Sequence, residues 1–146
     1  MSVIETAYVL IGLATIAVVF VLNRPLFARG APPLAAAEGF YYAVGVAALF
    51  VGWYFNFQYF RQYGDEVGWW HWTTLLFVNP ASASGGQDLI FANLVLFPLY
   101  LVIDGRRDRM RAAWWYFVMS LLTSYAFAWA LFLAVQHRQR RANAAA

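Results

Sequence analysis

Residues 40–60 read FYYAVGVAALFVGWYFNFQYF, an unbroken run of twenty-one residues without a charge. Coiled as a helix at 1.5 Å per residue it would be about 30 Å long, the thickness of a bilayer's hydrocarbon core. Three further stretches share its character: Ala7 to Leu22, Leu89 to Ile103 and Ala113 to Val135. Barrel strands are about 10 residues long and alternate in polarity, so continuously apolar runs point to helices. The expected architecture is all-α, an integral membrane four-helix bundle forming one transmembrane domain over residues 1–146. Its spans are expected at about 6–22, 39–60, 80–103 and 113–135.

Composition leads the same way. Hydrophobic residues make up 63% of the 146 and charged residues only 12%, too apolar a balance for a soluble domain. The net charge of +3 comes from arginine alone. Most of these arginines sit at helix ends, so nucleic acid is not an expected partner. The absence of cysteine excludes disulfides, thiolate metal sites and cysteine nucleophiles. The opening Met1-Ser2-Val3-Ile4-Glu5 has no basic n-region, so the first run is expected to be a retained span rather than a signal peptide.

Arg24-Pro25 closes the first span and 27–37 is a linker. In the second span Gly39, Ala43 and Ala47 repeat every four residues, and Gly45, Ala48 and Gly52 line a neighbouring stripe. Small residues at this spacing let membrane helices approach closely. Residues 68–78, with Trp69, Trp70 and Trp72, are too short to cross and suit a short interfacial aromatic helix between spans two and three. Span three has two candidate starts: Asn79-Pro80, an N-cap and N1 pair, or Ser84 with Gln87, a capping box. The first, which is preferred, sets Asp88 nine residues past the cap, about 13 Å into the span. The second makes Asp88 an ordinary first-turn carboxylate. With four crossings, six arginines would flank loops one and three and four would lie opposite, so the positive-inside rule sets loops one and three in the cytoplasm.

Gly52, Asn79-Pro80-Ala81-Ser82, Asp88-Leu89, Asp104-Gly105-Arg106-Arg107, Met110-Arg111, Trp114 and Leu131-Phe132-Leu133 together resemble a bacterial family of small membrane proteins known only as domain of unknown function twenty-eight thirty-four. The resemblance covers about Val46 to Arg138, with the first span an addition. The chain departs from the family pattern at Asp104, where a glutamate would start the third loop, and at Ala128-Trp129-Ala130, where a proline would precede Leu131. The resemblance implies residence in a bacterial cytoplasmic (inner) membrane and an embedded Asp88. It implies no activity.

Asp88 is the one carboxylate expected inside a span, where an ionised group must be paired, protonated or turned to a polar cavity. Asn56, Gln58, Gln87, Asn93, Ser120, Thr123 and Ser124 are the candidates for its hydrogen-bonding shell. His71, among tryptophans, is a candidate pigment ligand, while His137 lies beyond the last span, so a haem held by two histidines is not expected. Ser82 or Ser84 near His71 makes a poor triad, and Gly85-Gly86 lacks the lysine of a phosphate loop. No metal site and no cofactor is predicted. A lipid, a carotenoid or another pigment is the kind of molecule such a bundle could bind.

Two functions suit these features. The favoured one is a non-catalytic, multi-pass membrane subunit or scaffold that binds lipid and other membrane proteins, or further copies of itself. The alternative is a small membrane enzyme or transporter for an apolar, isoprenoid-like molecule, with Asp88 as proton donor. One embedded acid is a sparse catalytic kit, which favours the first.

Overall fold

The computed structural model describes residues 2–28 and 30–145. Helix α1 spans Val3–Leu22 and starts on a reciprocal capping box in which Ser2 and Glu5 bond each other's backbone. After a 3-10 turn at Arg24–Phe27 comes α2, Ala36–Tyr63. The short aromatic helix α3, Trp69–Leu75, leads to α4, Pro80–Ile90, whose Asn79 side chain accepts from the amides of Ala81 and Ser82, each at 3.0 Å. Of the two candidate starts, Asn79-Pro80 is the one used.

A π-helical stretch, Phe91–Leu96, joins α4 to α5, Phe97–Arg107. The widened turn immediately precedes Pro98, which has no N–H to donate and whose ring would crowd the carbonyl four residues back. Among the described residues, three helical stretches are long and apolar enough to cross a membrane: Val3–Leu22, Ala36–Glu66 and Pro80–Arg107.

The fourth expected span does not form as one helix. Residues 113–135 divide into α6, Trp115–Leu122, and the start of α7, Tyr125–Ala145. The break falls at Thr123, whose φ of −133° and ψ of −90° leave the helical region. Just before it, the Ser120 hydroxyl donates to Phe117 O at 2.7 Å and the Thr123 hydroxyl to Met119 O at 2.6 Å. Such bonds from serine and threonine compete with the helical ladder. The chain then folds back sharply, and Tyr116 of α6 meets Phe132 of α7 edge to face at 5.2 Å.

Helices α1 and α2 hold the tip of this hairpin. The Tyr8 hydroxyl donates to Thr123 O at 2.9 Å and accepts from Asn56 Nδ2 at 2.7 Å. A β-carbon built on Gly12 would come within 3.3 Å of Thr123 Cγ2, and one on Gly52 within 3.2 Å of Ser124 Cβ. The tip fits because neither glycine has that carbon. From this tip α7 runs antiparallel to α2, with Gly45 against Ala130 and Phe127 and Glu38 against Arg138. It is the central helix: Ala128, Phe132, Ala134 and Val135 are fully buried.

The surrounding surface is apolar. Phe40, Phe50, Val51, Tyr54 and Phe55 of α2 are 57–66% exposed, and Phe91 of the π-helical stretch and Leu99 and Ile103 of α5 stand out likewise. Glu5, Glu38, Gln136 and Arg138, by contrast, are buried. This distribution is the reverse of a soluble domain, where charged residues almost never lie fully inside and wide apolar patches are rare.

Candidate functional site

Charge gathers at one end of the bundle. Of the nine described arginines, eight lie there: Arg24 after α1, Arg106, Arg107, Arg109 and Arg111 at the turn between α5 and α6, and Arg138, Arg140 and Arg141 on α7. Arg61 stands at the other end and bonds Glu5 at 2.7 Å. The fold-back creates this asymmetry, because it returns α7 to the end from which α6 set out.

Two carboxylates organise the cluster. Glu38, in the first turn of α2, has no exposed surface and accepts from Arg138 Nη1 and Arg141 Nη1, both at 2.7 Å, with His137 Nδ1 at 3.3 Å. Arg138 also donates to Leu26 O at 2.6 Å and Pro32 O at 2.7 Å, and its guanidinium lies 5.1 Å from the Phe27 ring centre. One side chain of α7 therefore ties the α1–α2 connection to the first turn of α2.

The second carboxylate is Asp108, at the end of α5. It accepts from Gln136 Nε2 at 2.6 Å and Arg140 Nε at 2.8 Å, while its backbone carbonyl accepts from Asn143 at 3.0 Å. Burial by itself would raise its carboxyl, but the hydrogen bonds from Arg140 and Gln136 and the charges of Arg140 and Arg107 outweigh that and hold it below the ordinary aspartate value. Reciprocally, the bond to Asp108 holds Arg140 above the usual arginine value, against the effect of burial.

Asp88 lies apart from this cluster. It is exposed, and its one side-chain hydrogen bond comes from neighbouring Gln87. Measured from Arg106 it is eighteen residues, about 27 Å, along the axis, near the far limit of a 30 Å hydrocarbon layer. The stretch from Pro80 to Arg107 is longer than such a layer is thick, so starting the helix at Asn79 does not by itself bury Asp88.

Of the expected partners, Gln87 bonds Asp88 and the others do not. Asn56 bonds Tyr8, the Asn93 side-chain amide lies 2.8 Å from the Ser120 hydroxyl, Thr123 and Ser124 form the hairpin tip, and Gln58 is exposed. His71 is held by Tyr59, whose hydroxyl lies 3.1 Å from Nδ1, and by Glu66, 3.9 Å from Nε2. The Tyr59 contact links α3 to α2.

Of the two small-residue stripes, Gly45 meets α7, Gly52 meets the hairpin tip at Ser124 and Ala48 packs on the core, whereas Ala43 and Ala47 face outward and Gly39 meets only Leu34. Beside Gly45, a cavity of about 190 Å³ is lined by Ile16, Phe20, Tyr41, Phe127 and Leu131, all apolar or aromatic. Asp88 is not among its lining residues. No group of three or more histidine, aspartate or glutamate residues among the described residues is placed to hold a metal ion.

Sequence reasoning overlooked Glu38, Asp108 and Arg138. The available signal was a glutamate in the first turn of a span whose own linker carries no strong cap, together with three arginines closely following an apolar run.

No curated protein and no solved structure gives a significant match to the chain. The family described as protein of unknown function DUF2834 matches residues 40–138, from the start of α2 to Arg138 of the buried cluster. That covers Asp108, Arg138, the hairpin and the π-helical turn, beginning two residues after Glu38, and the chain belongs to that family.

Proposed function

We propose that this protein is a membrane-resident, non-catalytic subunit or scaffold with three crossing helices and a re-entrant hairpin. The observation that carries the membrane reading is the inverted surface, with large apolar side chains outside and Glu38, Gln136 and Arg138 inside. The hairpin follows from dimensions. Its tip packs at Gly52, fourteen residues or about 21 Å along α2 from Glu38 and about 14 Å short of Arg61. It therefore turns inside the layer and comes back to the face it left. The arginine-rich end is assigned to the cytoplasm by the positive-inside rule, now eight described arginines to one.

The non-catalytic reading is supported by where the polar side chains are spent. Asn56, Asn93, Ser120, Thr123 and His71 all make structural bonds, and no polar shell gathers around Asp88. The apolar outer faces of α2 and of α4 with α5 are suited to lipid and to other membrane helices.

Topology provides the test. Single cysteines at Arg107 and Asn143 should be labelled by a membrane-impermeant reagent from the same face, and a cysteine at Glu66 from the opposite one. Labelling of Arg107 and Asn143 from opposite faces would restore a fourth crossing and end the re-entrant proposal. For the scaffold reading, mild detergent should release a complex of fixed stoichiometry; a monodisperse monomer carrying only lipid would count against it.

A further inference from the structure

Between the end of α1, the α5–α6 turn and the last turns of α7 lies a cavity of about 260 Å³, lined by Asn23, Leu26, Arg109, Arg111, Gln139 and Asn143. We propose that it binds the phosphate group of an anionic phospholipid, an inference that rests on the membrane reading above. Three observations support it.

The first is charge. Glu38, Asp104 and Asp108 are already matched to Arg107, Arg138, Arg140 and Arg141. Arg109 and Arg111 pair with no carboxylate among the described residues, although the buried acids of the same end lie close by. Two guanidinium groups facing one cavity form a planar, multidentate donor set suited to phosphate oxygens.

The second is construction. Arg109 has a φ of 57°, in the left-handed region where glycine is usual. It is the C′ residue of a Schellman turn: Met110 N donates to Gly105 O at 2.8 Å and Arg109 N to Arg106 O at 3.1 Å. Ala112, at φ 48°, follows in the same region. This tight turn keeps Arg109 and Arg111 at one rim. The opposite wall is braced by Gln139 donating to Asn143 at 2.7 Å and Asn143 donating to Asp108 O.

The third is the inner wall. Asn23 is only 2% exposed, and its Oδ1 has no hydrogen-bond partner although its Nδ2 donates to Val19 O at 2.8 Å. A hydroxyl of a glycerol headgroup could supply the missing donor, with the phosphate itself on the arginine side. With Pro25 and Leu26 alongside, the lining is part charged and part apolar, and it sits just where the apolar α1 ends. A lipid headgroup lies at that depth, and basic pockets on the cytoplasmic side of membrane helices bind such groups.

The experiment uses the full chain in neutral detergent and measures the thermal-shift titration with phosphatidylglycerol, phosphatidylcholine and inorganic phosphate. Phosphatidylglycerol should raise Tm saturably and phosphatidylcholine should not. R109N/R111Q should weaken the apparent affinity at least about tenfold, the equivalent of about 1.4 kcal/mol. Asparagine tolerates the left-handed backbone, and R111Q alone, at an ordinary φ, should give several-fold in case the double variant misfolds. R106Q removes one charge from the same end without touching the cavity and should bind as the parent does. An equal loss in R106Q would mean diffuse attraction and overturn the site. An equal shift from inorganic phosphate would overturn the lipid assignment, and no selective shift from any probe would overturn the whole inference. Recovery of the protein without detergent would instead defeat the membrane reading by itself.

Discussion

Replacing Arg138 by alanine removes three hydrogen bonds from the interior, to Glu38, Leu26 O and Pro32 O. Glu38 has no exposed surface and would keep only Arg141 and His137, whose side chains are 31% and 37% exposed. Breaking a buried ion pair by deleting one partner costs about 3–5 kcal/mol, because the remaining charge stays desolvated. That is a large part of the roughly 5–15 kcal/mol by which a domain is stable. Arg141→Ala, at the exposed edge of the same cluster, should cost about 1 kcal/mol or less. Tryptophan fluorescence and circular dichroism, followed as a denaturing detergent is titrated into a mild one, would measure both. Glu38→Gln combined with Arg138→Met should be less destabilising than the sum of the two single changes, since removing both partners leaves no orphan charge. If Arg138→Ala costs no more than Arg141→Ala, or if the double variant is simply additive, Glu38 and Arg138 are not the coupled buried pair described here.

Gly45→Val and Gly52→Val should each destabilise the bundle by about 1–3 kcal/mol, since they push on Ala130 and on the hairpin tip. Ala43→Val and Ala47→Val, on the outward stripe, should stay within about 0.5 kcal/mol in the same titration. Asp108 has its carboxyl held low in the folded protein, so its stabilising contribution is complete above the unfolded value near about pH 3.9 and is lost as pH falls through the lower folded value. Stability measured downward from about pH 5 should therefore decline, and Asp108→Asn should flatten that decline; an unchanged acid limb would contradict the assignment. Asp88→Leu should leave the melting curve within about 0.5 kcal/mol of the parent, because Asp88 is exposed and bonded only to Gln87. A loss of about 2 kcal/mol or more would mean that it has a partner after all.

Local chemistry was enough to read much of this chain. The length and continuity of the apolar runs decide that α1, α2 and the stretch from α4 to α5 are helices of membrane-crossing length, because a run of one character needs no distant partner to be interpreted. The Asn79-Pro80 start was legible for the same reason: cap and first turn lie within four residues. The fourth run was not legible. Ser120, Thr123 and Ser124 read equally well as a polar face of a straight helix or as a break, and the choice depends on Gly12, Gly52 and Tyr8, brought from two other helices to receive the tip. The candidate site depended on it even more. Glu38 and Arg138 stand one hundred residues apart, and a carboxylate and an arginine so far apart in sequence give no sign that they meet. Only the fold-back of α7 onto α2 brings them together, and with them gathers the arginines at one end. The sequence determined which segments are helical and what surroundings they suit; tertiary packing decided that the last helix returns to the face it came from, because the energy of that turn lies in contacts between segments rather than within any one of them.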